Sequence, residues 1–185
     1  MRLRNILILV AVLGIAAVVF VRTRPVIIPE PPPPPREFVW LFEMDELTAI
    51  VIELPREGLK ESFAKHEDRQ FYFDDPPGPR ADPGRWGGGI PLILSGPAAE
   101  RPIAKDASDE QLEIFGFAVP LLVATLSRGE ADTVVIEVGD PVPDGHAYYV
   151  RVADSRDLYT VDATWYEVLA RIVTEPPYPP EEEDS

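Results

Sequence analysis

The chain offers few side chains of the kind that perform catalysis or bind metals. It has two histidines, His66 and His146, and no cysteine. A zinc site needs three or four ligands, and neither histidine lies in an H-x-x-x-H or His-carboxylate spacing that would supply them. Both histidines fall in predicted turns, so we interpret them as exposed loop residues. We therefore predict no metal site and no bound cofactor.

Serine and carboxylate chemistry are the next two possibilities. Ser95 lacks the G-x-S-x-G elbow that positions the nucleophile of many serine hydrolases. Asp74, Asp75 and Asp82 fit no EF-hand spacing and suit a solvated acidic loop. The alternative function for them is that of an extracytoplasmic hydrolase. Such an enzyme needs two carboxyl groups about 5–9.5 Å apart in one pocket, with the pKa of at least one raised.

Aromatic residues provide the candidate binding contacts. Trp86 lies in a glycine-rich stretch, residues 84–89, that lacks the Lys-Ser/Thr pair of a phosphate-binding loop and follows no strand directly. Its glycines would allow close packing around the tryptophan, which could then act as an aromatic platform. Tyr148 and Tyr149 place one ring on each face of a predicted strand, so one faces the core and the other is available to a partner. The candidate contacts are Trp86, Tyr148 and Tyr149.

The elements that must position these residues are mainly strands. Apolar alternation at Ile50, Ile52 and Leu54 predicts a half-buried strand over residues 48–54, and residues 38–42 also resemble a strand. Residues 59–66 and 70–73 predict a hairpin, and residues 74–89, rich in proline, glycine and aspartate, predict a loop. Residues 91–94 fit either a helical turn or a short strand.

The second half of the chain predicts a helix, a β-meander and a final helix. Ser108 and Gln111 form a capping box for a short helix over residues 108–114, which Gly116 would end. The meander strands are residues 121–127, 133–138, 146–152 and 158–161, with a turn over residues 139–145. Asp162 caps a helix over residues 163–173, whose apolar stripe should pack on the sheet. The stripe is formed by Trp165, Val168, Leu169 and Ile172.

These turns and strands resemble the bacterial family known as domain of unknown function 4340, over roughly residues 45–173. The motifs that carry the resemblance are Phe115-Gly116-Phe117 with Pro120, Val138-Gly139-Asp140-Pro141, Pro143-Asp144-Gly145, Tyr148-Tyr149-Val150 and Leu158-Tyr159-Thr160-Val161. Phe115 and Phe117 replace the family's usual tyrosine and leucine. The family's long preceding helix is shortened, with residues 86–97 in its place. The resemblance implies membrane-anchored, extracytoplasmic proteins, some similar to auxiliary components of a transport system linked to gliding motility. It implies no catalytic residues.

The N-terminal segment predicts a membrane anchor. Residues 6–21 are apolar without interruption, near the short end of the roughly 17–25 residues that span a bilayer as a helix. A cleaved signal peptide is the competing interpretation, but Val19, Phe20 and Val21 run into Arg22 without a small-x-small cleavage site. The flanking arginines are balanced, so orientation rests on the short head, which favours a cytoplasmic N-terminus.

Charge is unevenly divided along the chain. Four arginines are the only charged residues among residues 1–24, so residues 25–185 carry a net charge of −19 in a chain whose total is −15. Such an acidic domain would be repelled by the phosphates of nucleic acids, which we exclude as partners, and by anionic membrane surfaces. Without cysteines, the domain must fold by packing alone.

The predicted fold class is α+β, with a mainly antiparallel β-meander sheet packed by a C-terminal helix and an N-terminal transmembrane helix. The predicted regions are a cytoplasmic head (1–5), a transmembrane anchor (6–21), a proline-rich stalk (22–36), an extracytoplasmic α+β domain (37–175) and a Pro/Glu-rich disordered tail (176–185). We expect the chain to be a non-enzymatic binding or accessory module on the cell membrane. Its expected partners are the lipid bilayer, through the N-terminal helix, and a membrane protein of a transporter-like assembly.

Overall fold

A computed structural model describes residues 12–15, 20, 37–86, 89–129 and 132–180 of the 185-residue chain. The chain divides into two compact units, Met1–Pro35 and Arg36–Ser185. In the first unit, residues 12–15 and 20 are helical and exposed. Within the described residues, no helix combines the length and the apolar character needed to cross a bilayer. The rest of the predicted anchor and the predicted stalk lie outside the described residues.

The second unit contains nine strands and four short or medium helices among its described residues. The strands are β1 (Leu47–Leu54), β2 (Leu59–Lys65), β3 (Phe71–Asp74), β4 (Pro77–Arg80), β5 (Arg101–Ala104), β6 (Leu122–Arg128), β7 (Asp132–Pro141), β8 (Ala147–Val152) and β9 (Leu158–Asp162). The helices of this unit are α1 (Pro83–Trp86), α2 (Ile90–Ser95), α3 (Asp109–Ile114) and α4 (Ala163–Thr174). A 3-10 turn, Met44–Glu46, precedes β1.

All nine strands form one antiparallel sheet in the order β4-β3-β2-β1-β6-β7-β8-β9-β5. Two consecutive meanders, β1 to β4 and β6 to β9, are joined where β1 pairs with β6. Strand β5 pairs with β9 and forms the far edge. This architecture confirms the predicted α+β class with a mainly antiparallel sheet and a C-terminal helix.

The register of the sheet places the predicted apolar residues on one buried face. Ile52 of β1 lies opposite Ala124 of β6, which in turn lies opposite Ile136 of β7. All three side chains are fully buried. Because side chains alternate between the two faces of a strand, the neighbours of these three residues in each strand point to the other face. The period-2 pattern that predicted β1 is therefore confirmed.

Helices α2 and α4 cover the buried face and are fastened by two tryptophans. The Trp40 indole N–H donates to the Leu94 carbonyl at 2.7 Å, and the Trp165 indole N–H donates to the Ile93 carbonyl at 2.9 Å. The two rings meet edge to face, with centroids 5.7 Å apart. The last carbonyls of a helix have no partner within the helix, so these donors satisfy the end of α2 while burying apolar area.

A second, smaller cluster lies on the opposite face, beneath α3 and the turn that follows it. Its buried members are Ala107, Phe117 and Leu158. The Ser108 side chain accepts from the Gln111 N–H, and the Gln111 side chain accepts from the Ser108 N–H. This reciprocal pair confirms the predicted capping box and fixes the start of α3.

Three local predictions are wrong in part. Residues 38–42 form no strand: Phe38 makes a single bridge to Ala98, and Trp40 turns toward α2. Residues 74–89 are not a continuous loop, since β4 and α1 lie within them. The predicted turn over residues 139–145 begins later, because β7 continues to Pro141. The first difference is due to a contact distant in sequence, and the other two are due to hairpin pairing of β3 with β4 and of β7 with β8.

Prolines occupy both edges of the sheet. Edge strand β4 contains Pro77 and Pro79, and edge strand β5 contains Pro102. Proline has no backbone N–H to donate, so it is tolerated in edge strands and weakens any attempt to pair a further strand.

The packed domain extends past its predicted end at residue 175. The Asp82 N–H donates to the Pro177 carbonyl at 2.8 Å, and the Tyr178 ring stacks on Phe73 with centroids 4.2 Å apart. Residues 176–178 of the predicted tail therefore belong to the domain. Residues 181–185 of that tail lie outside the described residues.

The Asp162 cap of α4 generates a pH-dependent prediction. The hydrogen bond from Thr164 lowers the pKa of Asp162 below its ordinary value. A lowered folded-state pKa contributes stability above the unfolded-state pKa of about 3.9 and loses it as the pH falls through the folded value. We expect Asp162→Ala to reduce the free energy of unfolding by about 1 kcal/mol at pH 7 and by less at pH 3. Urea titrations at both values measure this.

Asp162→Asn is the matched control, because asparagine caps helices without titrating. The difference in the free energy of unfolding between Asp162→Asn and Asp162→Ala should be the same at both pH values. The wild type should exceed Asp162→Ala in free energy of unfolding by less at pH 3 than at pH 7. An equal difference at the two pH values would contradict the role assigned to the carboxylate.

Candidate functional site

A concavity lies where the β2–β3 hairpin, the end of β4 and helix α1 meet. It has a volume of about 430 Å³, within the range of small-molecule and peptide pockets. Its apolar lining is Met44, Phe71, Ala81, Pro83, Trp86 and Pro91. Its polar lining is Asp45, Lys65, Asp68, Arg69, Gln70 and Arg80. We call it the Trp86 cleft.

Trp86 is held rigidly at one wall of this cleft. Its ring lies 4.6 Å from that of Phe63 and 5.4 Å from that of Phe71, centroid to centroid, and the residue is 8% exposed. The predicted close packing around Trp86 is therefore present. Trp86 lines the cleft but is largely buried, so its ring is not a freely exposed platform.

Hydrogen bonds set the positions of the polar residues in the cleft. Arg69 donates to the Asp45 carboxylate at 2.6 Å, and this bond is the main cause of the lowered pKa of Asp45. The Gln70 backbone N–H donates to Asp68 at 3.0 Å and is the main cause of the lowered pKa of Asp68. Both carboxyl groups therefore favour the ionised form, the opposite of what a general acid requires.

The hydrolase residues predicted from sequence do not meet in this cleft. Asp74 and Asp75 are exposed around the β3–β4 turn. The Asp82 side chain accepts from the Gly84 N–H at 3.0 Å, at the start of α1. None of the three lines the Trp86 cleft.

The two candidate tyrosines lie on opposite faces of β8, as predicted, and both are half-buried. The Tyr148 ring stacks on Tyr166 of α4 with centroids 4.2 Å apart. The Tyr149 ring packs on Phe115 at 4.5 Å, within the second cluster. The structure therefore does not bring Tyr148, Tyr149 and Trp86 into one site.

The histidines are exposed, as their turn positions predicted. The His66 ring stacks on Tyr72 at 4.1 Å. His146 contacts the Asp144 carboxylate through Nδ1, and its Nε2 lies 3.8 Å from Glu100. Across the described part of the chain, no three histidine or acidic side chains are grouped as a metal site.

An exposed apolar surface adjoins the cleft and was missed by the sequence analysis. It consists of Phe38, Leu41, Met44 and Leu92, which are 40%, 69%, 41% and 61% exposed. Leu41, Met44 and Leu92 line one shallow depression, and Phe38 joins Leu41 over Gly96. We call it the Leu41 patch. The prediction of a strand over residues 38–42 concealed it, because a strand would have alternated these side chains between two faces.

A close backbone contact organises the other end of the domain, where α3 leads into β6. The Asp140 N–H donates to the Phe115 carbonyl at 2.8 Å. A Cβ at Gly139 would overlap that carbonyl oxygen, and a Cβ at Gly116, whose φ is +86°, would lie 2.7 Å from the Asp140 nitrogen. Only glycine fits at either position. Arg56 bridges the contact, bonding to the Val119 carbonyl at 2.7 Å and to Asp140 at 2.8 Å.

This contact joins two of the motifs that carry the family resemblance, Phe115-Gly116-Phe117 and Val138-Gly139-Asp140-Pro141. Residues 97–172 match the family Domain of unknown function (DUF4340). The resemblance is thereby confirmed over β5 to α4, a narrower range than the residues 45–173 expected. Strands β1 to β4, the Trp86 cleft and the Leu41 patch lie outside the matched range. No curated protein and no solved structure matches the chain.

These two motifs therefore have a structural explanation in this chain. Gly116 and Gly139 permit the backbone contact, and Asp140 receives Arg56 from the β1–β2 turn. The polar residues of the Trp86 cleft carry no comparable sequence signal, since they come from two separate strands and two turns.

The close backbone contact between Gly139 and Phe115 predicts that one added methyl group will strongly lower the free energy of unfolding. Gly139→Ala should destabilise the protein by about 3 kcal/mol, because the new Cβ has no room against the Phe115 carbonyl. Gly145→Ala is the control: its φ is +76° and its surroundings are open, so only backbone strain of about 1 kcal/mol is expected. Urea denaturation followed by tryptophan fluorescence compares the two. Equal losses would show that the close contact is unimportant.

Proposed function

We propose that this protein is a membrane-anchored, extracytoplasmic, non-enzymatic binding module that docks on a membrane-protein partner of a transport or envelope assembly. The observation that carries the proposal is the Leu41 patch. Four large apolar side chains are exposed side by side, although most large apolar residues of the strands are buried or half-buried. Contiguous exposed apolar surface on an otherwise charged domain is typical of an interaction site.

The surroundings of the patch favour a partner that combines apolar and basic residues. Glu43 and Glu46 line the same depression as Leu41. The one cation there, Arg128, is already occupied, since it contacts Asp132 and lies over the Phe42 ring at 5.1 Å. With residues 25–185 carrying −19, long-range steering would also favour a basic partner.

The sequence supports the anchored part of the proposal. Residues 6–21 are apolar and uncharged, and the patch begins two residues after the proline-rich segment 22–36. That segment spans at most about 45 Å when extended as polyproline II. An anchored domain would thus keep the patch within reach of proteins in the same membrane.

A hydrolase is the less favoured function. Asp74 and Asp75 are exposed, Asp82 bonds to the start of α1, and Asp45 and Asp68 in the cleft have lowered pKa values. No observation on the described residues favours it, so we do not propose it.

Charge introduced into the Leu41 patch should abolish the partner interaction. We expect the double variant Leu41→Glu, Leu92→Glu to lose at least tenfold in recovery of an integral membrane partner when the full chain is crosslinked and purified from its native membrane. The two carboxylates would have to be desolvated at the interface. Quantitative mass spectrometry of the purified material provides the measurement.

The matched control is Ile114→Glu, Val119→Glu, because Ile114 and Val119 are 66% and 52% exposed but lie outside the patch. This variant should recover the partner at the wild-type level. If both variants retained the partner, or both lost it, the patch would not be the docking site.

The orientation is tested by protease access to the chain. With tags at both ends, protease added outside intact cells should remove the C-terminal tag and leave the N-terminal tag protected. Arg36 offers a trypsin site directly before the described part of the domain. If the domain were cleaved only after lysis, it would lie in the cytoplasm, and the extracytoplasmic part of the proposal would be overturned.

A further inference from the structure

The Trp86 cleft is a locally basic region of an acidic domain. Three cations, Lys65, Arg69 and Arg80, line it with two carboxylates. Residues 25–185 as a whole carry −19, so a surface with more cations than acids is unusual in this domain. A local excess of positive charge favours ligands that carry negative charge.

Two of these cations have no carboxylate partner. Lys65 donates to the Asp45 backbone carbonyl at 3.1 Å, and Arg80 donates to the neutral Gln70 side chain at 2.8 Å. Among the described residues neither cation lies within 4.0 Å of a carboxylate, whereas Arg69 is paired with Asp45. Lys65 and Arg80 are therefore available to an acidic ligand.

The end of the described chain is fastened beside this cleft. Arg85 donates to the Glu175 carbonyl at 3.1 Å, and the Asp82 N–H donates to the Pro177 carbonyl at 2.8 Å. The neighbours of Asp82 on either side, Ala81 and Pro83, both line the cleft. Tyr178 then stacks on Phe73, in the same strand as Phe71 of the cleft wall. Residues 175–178 thus pack on Arg85, Asp82 and Phe73, which are close in the chain to residues that line the cleft.

The residues that follow have the complementary charge. After Pro179 and Pro180, the sequence continues Glu181, Glu182, Glu183 and Asp184. The seven residues after Tyr178 reach about 20 Å when extended, more than enough to cross a cleft of this volume. We propose that the acidic run 181–184 binds the Trp86 cleft of its own chain, with its carboxylates on Lys65 and Arg80.

Attachment to the domain makes such a weak contact effective. Exposed ion pairs contribute little individually and are screened by salt. A short connection, however, holds the run near the cleft at an effective concentration on the order of millimolar. The cleft is then occupied unless a competing acidic segment displaces the run. This inference goes beyond the proposed function, which depends on the Leu41 patch.

Disulfide trapping tests the proposal directly, because the chain has no native cysteine. Met44→Cys places a thiol at the cleft, and Ser185→Cys places one directly after the acidic run without removing a carboxylate. Under mild oxidation of the full chain, this pair should form an intramolecular disulfide at least fivefold faster than a control pair. Non-reducing electrophoresis after proteolysis measures the fraction crosslinked.

The control pair is Leu59→Cys with Ser185→Cys. Leu59 is 42% exposed and Met44 is 41% exposed, but Leu59 lies at the opposite end of β2 from Lys65. Adding Lys65→Gln and Arg80→Gln to the Met44 pair, or raising the salt concentration to about 0.5 M, should reduce its rate to that of the control. Arg101→Gln, outside the cleft, should not. Equal rates for the two pairs, or a rate insensitive to the two glutamine substitutions, would overturn the proposal.

A titration provides a second measurement. The peptide of residues 178–185 should bind at least tenfold more tightly to a chain truncated after Pro180 than to the full chain, because the attached run competes. The same peptide with its acids replaced by their amides should bind neither. Equal binding of the acidic peptide to both chains, or to neither, would refute intramolecular docking. Partner recovery through the Leu41 patch is a separate readout, so the two proposals can fail independently.

Discussion

The pairing of β1 with β6 holds the two halves of this domain together. These strands are separated by nearly seventy residues, yet Ile50 lies opposite Leu126 and Ile52 opposite Ala124. The pairing turns two local meanders into one sheet with one continuous core, which α4 then covers. It is also the boundary of family resemblance, since the DUF4340 match begins at residue 97 and includes β6 but not β1. The matched residues contain strands β5 to β9 and helix α3, whereas the residues of the cleft and the patch all precede them.

Local sequence signals predicted the elements whose stabilising contacts are themselves local. The capping box of Ser108 and Gln111 specified α3 because both hydrogen bonds close within four residues. The alternation in β1 and the apolar stripe of α4 predicted which side chains face the core, since a regular period leaves only one way to bury them. The same reasoning located Trp86 in a tightly packed environment, although not as an exposed platform.

Elements that depend on distant partners were not predictable in this way. Strand β5 carries no alternation of its own and exists because β9 offers it an edge. Residues 38–42 look like a strand by composition, but the Trp40 indole finds the Leu94 carbonyl and leaves Leu41 facing solvent. The Trp86 cleft gathers charges from positions 45 to 80, which no spacing rule connects. Its basic character becomes visible only when strand pairing places Lys65 and Arg80 in one concavity.

The prolines at the two edges have a consequence for how many copies of this domain behave together. A nine-stranded sheet with open edges would be a template for fibril growth whenever molecules are crowded. Here Pro77, Pro79 and Pro102 leave gaps in the row of donors that a neighbouring strand would need. Edge-to-edge joining of the sheets of crowded copies is therefore disfavoured at both edges.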